Sequence, residues 1–234
     1  MNSQTAVTYK SLYKAAFIST ILMLVIIPTQ ILVFVLTKIP ATTIEWFSLF
    51  NENILIGFFH ADFFILINNI LISIIYLAFY HSLKEINKGV IQIGILLGLI
   101  GIAAYISSNK TFELLRLSQE YFSAQTDAGK LILEAAGKAS LLGWQGTAFD
   151  TYYVLNGIAL FCISILMFKS SDFSKAAAVW GLLAAFFMII PSTAGTIGLI
   201  FSLLSLIPWY VFSILFAKRF LSFSIVYFLQ FLIF

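Results

Sequence analysis

Charge is scarce in this sequence. Asp, Glu, Lys and Arg together make up 10% of its 234 residues, against roughly a quarter in a soluble domain. That scarcity excludes an ordinary water-soluble globule, because a chain that is 61% hydrophobic cannot be covered by so few charged side chains. Cysteine is nearly absent too. The single Cys162 lies in an apolar stretch, so no internal disulfide can form. The two histidines, His60 and His81, fall at opposite ends of one apolar segment, and His60 and Asp62 point to different faces of a regular helix, so no metal site is expected. No phosphate loop, HExxH motif or Ser-His-Asp spacing occurs. The thirteen basic residues are scattered, with no basic face interleaved with aromatics, so nucleic-acid binding has no support.

What remains is long apolar runs. A hydrocarbon core about 30 Å thick needs around 20 apolar residues in a helix. Runs of that size lie near residues 16–37, 54–80, 89–107, 148–168, 176–193 and 197–217. The first exceeds the length of a signal-peptide core and lacks a small-residue cleavage pattern, so it reads as a retained helix. Lys10, Lys14, Lys84, Lys88, Lys169, Lys175, Lys218 and Arg219 all fall on one side of a six-helix threading, which the positive-inside rule assigns to the cytoplasm. The expected fold is therefore all-α: a six-helix transmembrane bundle with both termini inside, in a plasma (inner) membrane. Residues 1–219 form a single membrane domain. The apolar tail, 220–234, is too short to span again and is expected at the interface or packed on the bundle.

Between the third and fourth runs, residues 108–147 form the only sizeable extramembrane element expected. Glu113, Arg116 and Glu120 recur at spacings of three and four, with Phe112, Leu115, Tyr121 and Phe122 on other faces. Asp127, Lys130, Glu134 and Lys138 repeat the design before Leu142. This predicts an amphipathic helical hairpin on the extracytoplasmic side, either a cap that shields the bundle or a lid over a site. Gly94, Gly98 and Gly101 are spaced for close helix approach. Pro28 and Pro208 lie inside apolar segments, where each removes a backbone hydrogen bond, and residues 191–198 read as a turn.

Ionisable residues inside the bilayer are the sharpest functional signal, since a charge near its centre costs about 3 kcal/mol on insertion scales. Asp62 is expected about 12 Å into the second helix, in line with Asn69, Ser73, Tyr76 and Tyr80. Asp150, Tyr153 and Gly157 form a matching stripe on the fourth helix, with Asn156 at its margin. The ligand-binding candidates are thus Asp62, Asn69, Asp150, Tyr153 and Asn156, in the outer half of the bundle. A purely structural role, interhelical hydrogen bonds worth about 0.6–2 kcal/mol each, competes with that reading. An aspartyl hydrolase would require Asp62 and Asp150 to share a proton, and no accompanying signature supports it. No catalytic residue, metal ligand or cofactor is assigned.

A resemblance adds a family. Asn109, Phe112, Glu113, Leu115, Leu117, Ser118, Tyr121, Ala124 and Thr126, then Ala136-Gly137, Gly146-Thr147-Ala148-Phe149, Tyr153-Val154-Leu155, Phe173-Ser174-Lys175-Ala176, Gly181, Pro191, Gly195, Trp209-Tyr210 and Arg219, form a pattern over residues 90–220. It resembles the bacterial multi-pass membrane proteins catalogued as domain of unknown function 4386. The resemblance implies a bacterial inner-membrane protein of about this size without assigned chemistry. The tail beyond Arg219 departs from the pattern, in which many chains end soon after that position. The function expected is binding of a small or lipidic ligand for transport or sensing, with the lipid bilayer as the other partner. The alternative is a membrane scaffold that docks a protein partner the sequence does not name, and an intramembrane enzyme ranks third.

Overall fold

The computed structural model describes residues 9–231, with side chains through residue 225. Ten helices and no strand occur among the described residues: α1 (Lys10–Leu36), α2 (Thr43–Glu52), α3 (Ile54–His60), α4 (Phe63–Leu83), α5 (Lys88–Ser108), α6 (Thr111–Ser123), α7 (Asp127–Trp144), α8 (Thr147–Lys169), α9 (Lys175–Met188) and α10 (Gly195–Phe231). Among the described residues five stretches are long and apolar enough to cross a membrane, which marks the chain as a membrane protein. The expected crossing at 176–193 is instead the 14-residue α9, about 21 Å long. It stops where Ile189 and Ile190 lead into Pro191, which cannot continue a helix.

Six helices close a ring. Following contacts around it, α1 packs on α4, α4 on α5, α5 on α8, α8 on α9, α9 on α10, and α10 returns to α1. Glycines set the closest approaches. A Cβ on Gly94 would lie 2.8 Å from Cys162 Cβ, and one on Gly181 would meet the Ser164 hydroxyl. The half of the ring near Lys84 and Lys169 is filled by rings. Phe79, Phe212, Phe216 and Phe220 are all at most 1% exposed, with Phe79 5.1 Å from both Phe216 and Phe220. Residues 220–231 continue α10, and Phe220 and Phe223 pack on Tyr13. Residues 226–234 of the apolar tail lie outside the described side chains.

The opposite end carries a small helical layer. The 108–147 segment is a pair of helices, α6 and α7, which pack on each other and on α2. The α2 helix lies where the hydropathy reading has only a connection. Its start is a capping box: the Thr42 hydroxyl accepts from Glu45 N and the Glu45 carboxylate accepts from Thr42 N. Lys38 pairs with Glu45 at 2.7 Å. That contact and the backbone N–H of Ala41 hold the Glu45 carboxyl below its ordinary range. Ser118 Oγ donates to Phe47 O at 2.6 Å, and a Cβ on Gly137 would come within 2.5 Å of Phe47 and Thr43. The hairpin therefore rests on α2, around a second core of Trp46, Phe47, Phe50, Tyr105, Leu114 and Trp144.

The second expected helix, 54–80, is broken. The α3 helix ends at His60, and Asp62 adopts a left-handed φ of 59° before α4 begins, a conformation that short polar side chains tolerate best. In a continuous helix the Ala61 carbonyl would accept from the N–H of Ile65. Here Asn109 Nδ2 and Thr111 Oγ1 donate to it at 2.9 and 2.7 Å. Two side chains from the α5–α6 joint thus replace a helical partner.

Candidate functional site

The break sets the site. Because Asp62 turns the chain between two helices rather than lying along one, His60 and Asp62 both reach the same wall, although a regular helix would separate them. The wall belongs to a partly open cavity of about 720 Å³ at the hairpin end of the ring. From α4 it takes Ile65, Asn68, Ile72 and Tyr76, a stripe at helical spacing. Counting seven residues from Asp62 picks out Asn69 instead. The left-handed residue uncouples that count, and Asn69 sits on the neighbouring face, fully buried and off the cavity wall.

Three further polar groups hold the depth of the site. Gln30 Nε2, from the last two turns of α1, donates to Asp62 Oδ1 at 2.5 Å, and the Tyr105 hydroxyl faces the same carboxylate. Near the floor, Tyr76 donates to Asn156 Oδ1 at 2.6 Å, and Asn156 Nδ2 donates to Tyr152 O at 2.9 Å. The α5 glycines make room for this pair: a Cβ on Gly98 would be 2.4 Å from the Tyr76 ring, and one on Gly101 would be 2.6 Å from Asn156 Nδ2. Higher up, the Thr37 hydroxyl donates to Val33 O at 2.6 Å, which leaves it to accept from His60 Nε2–H at 2.8 Å. Phe34 stacks on the His60 ring at 5.0 Å, and burial lowers the imidazole pKa.

Of the five residues singled out from the sequence, Asp62, Tyr153 and Asn156 line the cavity. Tyr153 also reaches the Ser202 hydroxyl of α10 at 3.4 Å. Asn69 lies behind the wall, where the Tyr152 hydroxyl faces it. Asp150 occupies the first turn of α8 and accepts a hydrogen bond from Thr193 Oγ1, tying α8 to the α9–α10 turn outside the cavity lining. Asp62 and Asp150 therefore have different partners. Sequence reading missed Gln30, Tyr105 and Tyr152. Gln30 had a signal, as a lone long polar side chain within the apolar α1; the tyrosines had none that sets them apart from packing aromatics.

Between α1 and α10 the wall is apolar. Ile31 of α1 is 40% exposed and Leu203 of α10 is 56% exposed, and both line the cavity. Toward the other end the two helices are joined, with Tyr210 OH donating to Leu24 O at 3.4 Å. Ile39, Pro40 and Ala41 from the α1–α2 connection, with Leu141 and Gln145 from the end of α7, frame the mouth. Among the described residues no three His, Cys, Asp or Glu side chains come together to hold a metal ion. No family model, curated protein or solved structure matches the chain.

Proposed function

We propose that the protein binds one small amphipathic or lipidic molecule in this cavity, as a sensor or carrier. The observation that carries the reading is the cavity itself: about 720 Å³, partly open and mostly apolar, with Asp62 on its wall and the exposed Ile31 and Leu203 lining it from α1 and α10. That volume falls within the range of ligand pockets, roughly 300–1,000 Å³. Asp62 is the polar anchor, Tyr153 and Asn156 are contacts, and Asn69 and Asp150 support the wall. The α7 end acts as the lid's inner edge. The ligand's tail leaves between α1 and α10 toward the bilayer.

The Phe79, Phe212, Phe216 and Phe220 packing below Tyr76 favours binding without an open channel. Six crossings, cytoplasmic termini, an extracytoplasmic hairpin, residence in a bacterial inner membrane and membership of the domain-of-unknown-function family 4386 belong to the same proposal. The scaffold alternative draws less support, because Gly94 and Gly98 are occupied inside the bundle by Cys162, Ala159 and Tyr76.

Trp46, Trp144 and Trp209 line the cavity, so fluorescence reports its occupancy. In bilayer nanodiscs, dodecyl maltoside brominated on its alkyl chain is expected to quench this emission saturably at one equivalent. Ser202→Phe, which fills the wall beside Tyr153, abolishes the saturable part while the variant still elutes as a folded species. Quenching that rises linearly with probe in both proteins is partitioning into lipid and removes the reading.

A further inference from the structure

The cavity has a sign. Among the described residues Asp62 is the only Asp, Glu, Lys or Arg on its wall, and the hydrogen-bonding groups that face its carboxylate, Gln30 Nε2 and the Tyr105 hydroxyl, are neutral. Asp62 is half-buried, so part of it is open to the cavity. The ion pairs among the described residues lie elsewhere, on Lys38, Lys110, Arg116 and Arg219. A carboxylate in a mostly apolar chamber with no cation beside it is a costly arrangement, relieved either by a proton or by the arrival of an opposite charge. An anionic head such as a phosphate or sulfate finds the reverse of what it needs, since among the described residues no Lys or Arg side chain is on the wall.

The walls agree with the carboxylate. Phe34, Trp46, Tyr105 and Trp144 share the cavity wall with Asp62, with Trp46 and Trp144 edge to face at 5.7 Å and one face of Phe34 stacked on His60. Aromatic faces attract a cation through their quadrupole, most strongly where water is excluded. Two buried side chains on the wall also carry acceptors with no partner, Gln30 Oε1 and Asn68 Oδ1, beside two unpaired donors, Trp144 Nε1 and the Tyr105 hydroxyl. Buried polar groups are normally satisfied; a protonated amine with a neighbouring hydroxyl or carbonyl oxygen supplies both kinds of partner, whereas a quaternary head, which has no N–H, is held by charge and the aromatic faces alone.

From these features together we propose that the ligand is a cationic amphiphile: an amine or quaternary ammonium head held by Asp62 and the aromatic walls, with an alkyl tail directed between α1 and α10. This rests on the cavity being a binding site.

The test is displacement of the brominated maltoside from the full chain in phosphatidylcholine nanodiscs by decyltrimethylammonium, decanol and decyl sulfate, which share a tail. The cation is expected to displace at concentrations about tenfold or more below decanol, with decyl sulfate weakest. Asp62→Asn erases the cation's advantage over decanol, and its elution as a folded species shows that the loss is not unfolding. If decanol displaces as well as the cation, or decyl sulfate is the strongest, the cationic class is overturned while the cavity reading stands. An advantage that survives Asp62→Asn overturns the role given to Asp62. If the maltoside never binds saturably, the cavity reading fails and this one with it. The wild-type ranking decides the class of ligand without any variant.

Discussion

His60 shows how a single side chain couples the site to pH. Its ring lies between Phe34 and the edge of Trp46, and its Nε2 faces Thr37. Burial lowers its pKa from the ordinary 6.5. The folded protein therefore holds the neutral form, and the unfolded chain takes up a proton first as pH falls. Stability from this group is complete above about pH 6.5 and is lost as pH drops toward the folded pKa. The expected outcome is a lower melting temperature in mild acid than near neutrality, with the gap reduced in His60→Gln; an equal gap in both proteins assigns the pH dependence to other groups. Asp62 illustrates what single residues reveal before folding. An acidic residue in an apolar run stands out by cost alone, and so does Gln30. Tyr105 and Tyr152 do not, because a tyrosine in an apolar segment looks the same whether its hydroxyl meets a carboxylate or a backbone carbonyl.

At the scale of elements, the α5 glycines separate packing from propensity. Gly98→Ala drives a methyl into the Tyr76 ring, which is 4% exposed and bonded to Asn156. It is expected to destabilise by about 1–3 kcal/mol and to weaken quenching by the brominated probe. Gly143→Ala, with nothing within 4 Å of its added carbon, is expected to stabilise α7 by about 0.5–1 kcal/mol. Chemical denaturation of the two variants distinguishes them; equal effects would show that Gly98 does not make the close approach. Element boundaries were legible where their cause is local. The Thr42-to-Glu45 box is written in four consecutive residues, and α2 follows from it, although hydropathy alone passes over so short a helix. The α3–α4 break was not legible, because the groups that hold it, Asn109 and Thr111, lie 48 and 50 residues from Ala61. The same break moves the α4 cavity stripe from Asn69 to Asn68.

At the scale of the whole molecule, the ring of six helices is solid at one end and hollow at the other. The all-helical membrane class follows from counting apolar residues against a hydrocarbon thickness, and that count needs no tertiary information. A cavity is different in kind. It is the volume left when side chains from α1, α4, α5, α7, α8 and α10 fail to meet, so no local pattern encodes it. The sequence placed polar residues at the correct end of the bundle without showing that a chamber joins some of them and bypasses Asp150 and Asn69. The phenyl packing below the chamber and the exposed Ile31 and Leu203 on its wall together define the account: an amphiphile is held from the side, with its head at Asp62. The most direct test is a high-resolution density map of the protein extracted with its surrounding lipid. The account predicts elongated density that fills the chamber, with its polar end against Asp62 and Gln30 and its tail passing between Ile31 and Leu203. A chamber that holds only water, or one closed by contact between α1 and α10 along their whole length, would contradict it.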